Sequence, residues 1–102
     1  MYGLSNECLE RILDSIRQIE AIDQVILYGS RAKGTFRMGS DINLTLRGKD
    51  LNLQNSVYPL MELLEELLLP YSFDISIYDS LSNEALLEHI NRVGIVLFER
   101  SP

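Results

Sequence analysis

The stretch LYGSRAKGTFRMGSDINL, residues 27–44, brings two kinds of chemistry into one short segment. Gly29 and Ser30 close an apolar run, and Arg31 and Lys33 follow directly. Glycine lets backbone approach a phosphate closely, and a serine hydroxyl with the first amides of a helix can donate to its oxygens. Arg31 and Lys33 stand where they would add positive charge. Ten residues then separate Ser30 from Asp41, and Asn43 lies two places further on. A carboxylate and an amide at alternate strand positions project from one face, about 7 Å apart along the chain. Asp74, in a later alternating segment, has the same parity relative to its apolar neighbours. If the strands are neighbours these side chains converge on the open face of the sheet, where carboxylates repel one another and need a counter-ion, and hard cations such as Mg²⁺ prefer oxygen ligands. Two such ions about 4 Å apart can stabilise the attacking and leaving oxygens of phosphoryl transfer. Asp79, five residues beyond Asp74, has the opposite parity and is the weaker candidate. Each signal by itself also has a plain reading: a Gly-Ser turn after a strand, and solvent-facing acids on half-exposed strands.

The elements that must carry these residues are legible from periodicity. Leu9, Ile12, Leu13, Ile16 and Ile19 recur at helical spacing and predict an amphipathic helix over 5–19, capped by Ser5 or Asn6. QVILY, 24–28, is β-branched and apolar and predicts a buried strand ending at Gly29. GSRAKG predicts a turn into a short helix. DINLTLR, 41–47, alternates strictly, with Ile42, Leu44 and Leu46 on one side and Asp41, Asn43 and Thr45 on the other. A leucine-rich helix is predicted over 53–69, with Leu53, Val57, Leu60, Leu64 and Leu67 on one stripe and Pro70 as its stop. SFDISIYD, 72–79, is a further alternating strand, 82–92 a helix, and IVLFE after Gly94 the last strand. The order describes one α/β domain, 1–102, with a mixed sheet of about four strands and flanking helices.

Bulk composition narrows the function classes. The chain of 102 residues has a net charge of −6, the wrong sign for stable, direct binding of long nucleic acid. Yet five of the nine basic residues, Arg31, Lys33, Arg37, Arg47 and Lys49, lie between 31 and 49, where Asp41 is the one acid. This locally positive field on an acidic protein points to a small anion at one site. No apolar run approaches the roughly 20 residues of a membrane span, and no signal peptide is evident at the N-terminus. Cys8 is the single cysteine, which excludes an internal disulfide and fits a reducing cytoplasm; it reads as a small, partly buried helix residue.

The spacing of Gly29-Ser30, Asp41 and Asn43, with Asp74 on a later strand, resembles the DNA polymerase β-like nucleotidyltransferases. Within that superfamily YGSRAKGTFRMGSDINL is similar to the minimal nucleotidyltransferases, or MNT proteins, through Gly29, Ser30, Ala32, Gly34, Ser40 and Asp41. The resemblance spans essentially the whole chain. It implies a site that uses two Mg²⁺ ions to transfer AMP from ATP, and a partnership with a HEPN-domain RNase. In such pairs the MNT protein is the antitoxin: it binds the toxin and adds AMP to a tyrosine of it. Carried onto this chain, Gly29 and Ser30 hold the triphosphate with Arg31 and Lys33 nearby. Asp41, position 43 and Asp74 ligate metal, and Asp74 helps deprotonate the attacking hydroxyl. Asn43 departs from this pattern, which has Asp there. A neutral amide binds a hard cation more weakly, so transfer by this chain is expected to be impaired.

Two alternatives follow: a catalytically inactive antitoxin that keeps only the binding role, and a small-molecule nucleotidyltransferase of the aminoglycoside-modifying kind. The latter usually carries a further helical domain for its acceptor, and this chain ends about three residues after its last predicted strand. Among the remaining residues His89 is expected to be solvated, Tyr28 to pack, and Tyr78 to be available to stack on a base. Leu63 and Leu69 fall outside the stripe of the 53–69 helix and suggest an apolar surface for a partner or for self-association.

Overall fold

The structure is a computed structural model that describes residues 1–101. Its first helix, α1 (Asn6–Arg17), starts where Ser5 accepts a hydrogen bond from the Cys8 N–H at 3.1 Å. The hydroxyl satisfies one of the first-turn amides that no helical carbonyl can reach. Strand β1 (Gln24–Tyr28) runs into the four-residue helix α2 (Ser30–Lys33). Strand β2 (Ile42–Arg47), helix α3 (Tyr58–Glu66), strand β3 (Phe73–Ile77), helix α4 (Glu84–Val93) and strand β4 (Ile95–Glu99) follow.

The sheet has the order β3-β2-β1-β4. β1 pairs antiparallel with β2 and β4, while β2 and β3 are parallel. A parallel neighbour requires a long crossover, and the segment containing α3 supplies it. The apolar residues Val25, Leu27, Ile42, Leu44 and Leu46 share a buried cluster with Ile12 and Ile16 of α1 and Leu60 and Leu64 of α3. Helix α4 lies over β1 on the opposite face. Ile90 is buried there, and a Cβ on Gly94 would come within 2.8 Å of Ile26.

The 53–69 segment differs from the single α-helix its leucines predict. Leu53–Val57 forms a π turn, and the α-helix proper begins at Tyr58. Pro59 sits at the first turn of α3. It has no N–H to return to the carbonyl four residues earlier, so the α ladder cannot run unbroken through it. At the other end Leu67 and Leu68 bond back to Leu64 and Glu65, three residues away, and Leu68 turns left-handed at φ 54°. Leu63 and Leu69 pack against the core, whereas Leu53, Tyr58, Met61 and Leu68 are the exposed large apolar residues of this segment. Strand β3 is also shorter than predicted: Tyr78–Ser80 makes a 3₁₀ turn, which takes Asp79 out of the strand. Among the described residues no helix is long and apolar enough to cross a membrane.

Candidate active site

Register decides which polar side chains become neighbours. Tyr28 pairs with Asn43 across β1 and β2, and Asn43 pairs with Asp74 across β2 and β3. Directly paired residues share a face, so these side chains form a row across the sheet. The next row on that face is Ile26, Thr45 and Ser76. There Ser76 Oγ donates to Thr45 Oγ1 at 2.9 Å, and Thr45 is fully buried. Asp74 and Asp41 are exposed, and Asn43 is half-buried. Asp41 lies one residue before β2, at its open end. The structure therefore brings position 43 and Asp74 side by side, with Asp41 two residues upstream of Asn43. It leaves Asp79 on the following turn.

The Gly29-Ser30 turn meets this row at the end of β1. Gly29 has φ 81° and ψ −158°, a backbone geometry that only glycine adopts readily. A Cβ here would collide with Nδ2 of Asn43. Position 43 is therefore packed directly against the turn. From Ser30 a single helical turn forms, with Lys33 N–H donating to Gly29 O and Gly34 N–H to Ser30 O. Gly34 closes it in the left-handed conformation. Lys33 is exposed, as is Arg37 in the following loop. Neither forms an ion pair among the described residues, where the salt bridges join Arg17 to Glu10 and Asp14, and Arg92 to Glu88.

Arg31 does not join this group as expected. It is only 3% exposed, and its guanidinium is committed to backbone carbonyls. Nε and Nη2 donate to Ser40 O at 3.1 and 2.8 Å, and Nη1 donates to Tyr2 O at 2.9 Å. The rings of Phe36 and Tyr71 flank it, 5.5 and 4.9 Å away. Sequence proximity puts Arg31 beside the Gly29-Ser30 turn, but a long side chain follows the best acceptors within reach. Here these are the carbonyl before Asp41 and the carbonyl of the N-terminal turn. Ser40 is further held by Arg37, whose N–H donates to Ser40 Oγ at 2.8 Å and whose carbonyl accepts from Ser40 N–H. Arg31 and Ser40 thus fix the backbone that leads into Asp41.

His89 departs from its expectation as well. It is half-buried, and its Nε2 accepts a hydrogen bond from the Gly29 N–H at 3.1 Å. Its ring stands edge-on to Tyr28, with centroids 6.3 Å apart. A signal for this was present. With Leu86, Ile90 and Val93, His89 falls on one helical face, the face that α4 turns toward β1. Tyr28 packs as expected, and burial pushes its hydroxyl above the usual tyrosine range. The nearby Ser76 side chain opposes that rise and the Asp74 charge adds to it. The face of Tyr78 is taken by the Arg47 guanidinium, 4.6 Å from its centroid, and its hydroxyl bonds Asn91 at 3.0 Å. Burial likewise raises the Cys8 thiol, against the smaller opposing charges of Arg11 and Arg31.

The donors available to a metal are the two carboxylates of Asp41 and Asp74 and the amide oxygen of Asn43. Among the described residues no three His, Cys, Asp or Glu side chains come together. Magnesium is commonly held by one or two carboxylates plus substrate phosphates and water. The donor set fits an ion that arrives with a nucleotide, and not a preformed cage.

Residues 10–102 match the family described as polymerase beta, nucleotidyltransferase, and the chain belongs to it. Among solved structures, a chain of a toxin–antitoxin complex with AMP-PNP superposes with a TM-score of 0.71 at 21% identity, over 90% of this chain and 73% of that one. A chain of the tri-AMPylated Shewanella oneidensis HEPN toxin in complex with MNT antitoxin gives 0.64 at 19% identity, over 90% and 70%. A chain of the MntA–HepT toxin–antitoxin complex gives 0.62 at 19% identity, over 90% and 70%. At these identities the likeness establishes the fold, that of a polymerase β-like nucleotidyltransferase. No curated protein sequence is significantly similar to the chain.

Proposed function

We propose that this chain is an MNT antitoxin that binds a HEPN toxin and carries a site for transferring AMP from magnesium–ATP to a tyrosine of that toxin. The observation that supports this most is the register that sets Asn43 beside Asp74 while its amide packs against Gly29. Metal-binding and phosphate-binding positions so become one site. Gly29 and Ser30 receive the phosphates, with Lys33 at the rim as an exposed cation. Asp41 and Asp74, with Asn43 between them, would hold magnesium, which when bound would neutralise phosphate charge and polarise the bond to be broken. Asp74 accepts the proton of the attacking tyrosine hydroxyl. Oxygen of that hydroxyl bonds the α-phosphorus, and pyrophosphate leaves. The toxin complexes among the structural neighbours, one with AMP-PNP and one with an AMPylated toxin, supply the chemical class of donor and acceptor.

Asn43 favours a second reading, in which the chain binds its partner and transfers AMP poorly or not at all. Replacing Asn43 by Asp restores a carboxylate, and transfer is expected to rise at least about tenfold, equivalent to roughly 1.4 kcal/mol of barrier. The measurement is label transfer from α-labelled ATP, with Mg²⁺ and a co-purified HEPN protein, for both forms. Equal labelling by the two forms refutes the impairment, and no labelling by either refutes the transferase reading. Co-elution of both forms with the HEPN protein on size exclusion is expected, because Asn and Asp differ by no appreciable contact area. Separate elution of both would leave neutralisation to chemistry alone.

A further inference from the structure

We infer that His89 is a positioning residue for the nucleotide site, acting through the hydrogen bond its Nε2 accepts from the Gly29 N–H. The inference rests on the proposed nucleotide reading for its functional consequence and on geometry for its physical one. Glycine has the widest backbone freedom of any residue, so a turn that depends on one needs external constraints to hold a single conformation. Gly29 has three. The Asn43 amide closes one side of it. Its carbonyl accepts from the Lys33 N–H at 3.1 Å. Its own N–H is held by His89 at 3.1 Å.

The third constraint comes from a different layer of the fold. His89 precedes Ile90, which is 2% exposed and anchors α4 on the sheet. The imidazole stands edge-on to Tyr28, at an interplanar angle of 78°, which limits its rotation. A ring that accepts at Nε2 is neutral and carries its proton on Nδ1. Helix α4 thereby fixes the plane of the Tyr28–Gly29 peptide, the entry to the glycine whose φ and ψ lead the chain into the turn at Ser30. Without the acceptor, the Gly29 amide is left to water and the turn samples other conformations.

The test compares His89→Phe, which keeps a ring and removes the acceptor, with His89→Gln, whose amide oxygen can take the place of Nε2. Two quantities are read in the intact chain. One is amide hydrogen exchange at Gly29 in the nucleotide-free protein, referenced to Leu44 in β2 so that any global loss of stability cancels. The other is the affinity for AMP-PNP with Mg²⁺ by calorimetry. In His89→Phe, Gly29 exchange is expected to accelerate relative to Leu44, and AMP-PNP affinity to fall about fivefold, the scale of one hydrogen bond. His89→Gln is expected to return both most of the way, a rescue that a purely packing role would not give. Unchanged Gly29 exchange in His89→Phe overturns the inference. So does equal or tighter AMP-PNP binding by His89→Phe, which would make His89 a competitor of phosphate for the amide. If the unsubstituted chain binds no AMP-PNP, the nucleotide reading is what fails, and the exchange comparison alone decides the positioning role.

Discussion

On the face of the sheet beneath α1 and α3, β1 and β2 present Val25, Leu27, Ile42, Leu44 and Leu46, all buried in one apolar cluster. On the opposite face the alternate positions of β1, β2 and β3 present Tyr28, Asn43, Thr45, Asp74 and Ser76. The two faces are interleaved residue by residue, so neither can be altered by a shift of register without exchanging places with the other. The difference lies in what each face needs. The apolar face needs only volume and shape, which α1 and α3 supply together. The polar face needs particular atoms at particular places, and α4 packs against β1 on that side. The row from Asn43 to Asp74 is left accessible. Residues outside the strands complete that second face: Ser40, held by Arg31, leads the chain into Asp41, and His89 secures Gly29.

The largest expected effect tests the apolar face. Leu44→Ala removes a fully buried side chain and should lower unfolding free energy by about 2–5 kcal/mol in a urea titration. Its neighbour Asn43, on the other face, should change stability by no more than about 0.5 kcal/mol when replaced by Ala. Comparable losses at both positions would show that the division between faces is wrong. Next in size is the polar row. With Asp restored at 43, Asp74→Asn should cut AMP transfer by roughly a hundredfold or more, whereas Asp79→Asn, on the 3₁₀ turn, should stay within about twofold. A reversed result would place the third carboxylate on the turn after β3.

Arg31 separates support from chemistry. Arg31→Met leaves the carbonyls of Ser40 and Tyr2 without their donors and should reduce stability by about 2 kcal/mol. If Arg31 contacts phosphate instead, stability will hold and only nucleotide affinity will fall. The smallest effect concerns Tyr28. Its hydroxyl titrates above the ordinary 10.0, chiefly because burial disfavours the phenolate. The unfolded chain releases that proton first as pH rises. The folded state therefore keeps this contribution fully below about pH 10 and loses it as pH climbs through the raised value. Tyr28→Phe should flatten that alkaline decline in stability, and an unchanged slope between the two proteins would assign it to other groups.

Much of this arrangement was legible beforehand because it is local. The parity of Asn43 and of Asp74 follows from strand alternation alone, and the glycine at 29 marks a turn by its own chemistry. The leucine stripe of 53–69 was legible as a helix, but its π start was not. That depends on how Pro59 is accommodated once Val57, Leu60 and Leu64 are drawn into the core. The partners of Arg31 and His89 were not legible, for a shared reason. Arg31 follows the Gly29-Ser30 turn directly yet bonds the Ser40 and Tyr2 carbonyls, and His89 lies 60 residues from the Gly29 it bonds, so sequence distance is a guide to neither.

By itself the chain's order of residues determined the elements, the face on which each strand residue points, and the pairing of a glycine–serine turn with a downstream Asp-x-Asn. These follow from periods of two and 3.6 and from backbone stereochemistry, which act over a few residues. Only the tertiary structure decided that β2 lies between β1 and β3. This brings Asn43 beside Asp74 and against Gly29. It also decided where the long polar side chains go. A guanidinium or an imidazole takes whichever acceptor or donor the packing of distant segments brings within about 3 Å, and no local rule specifies that partner.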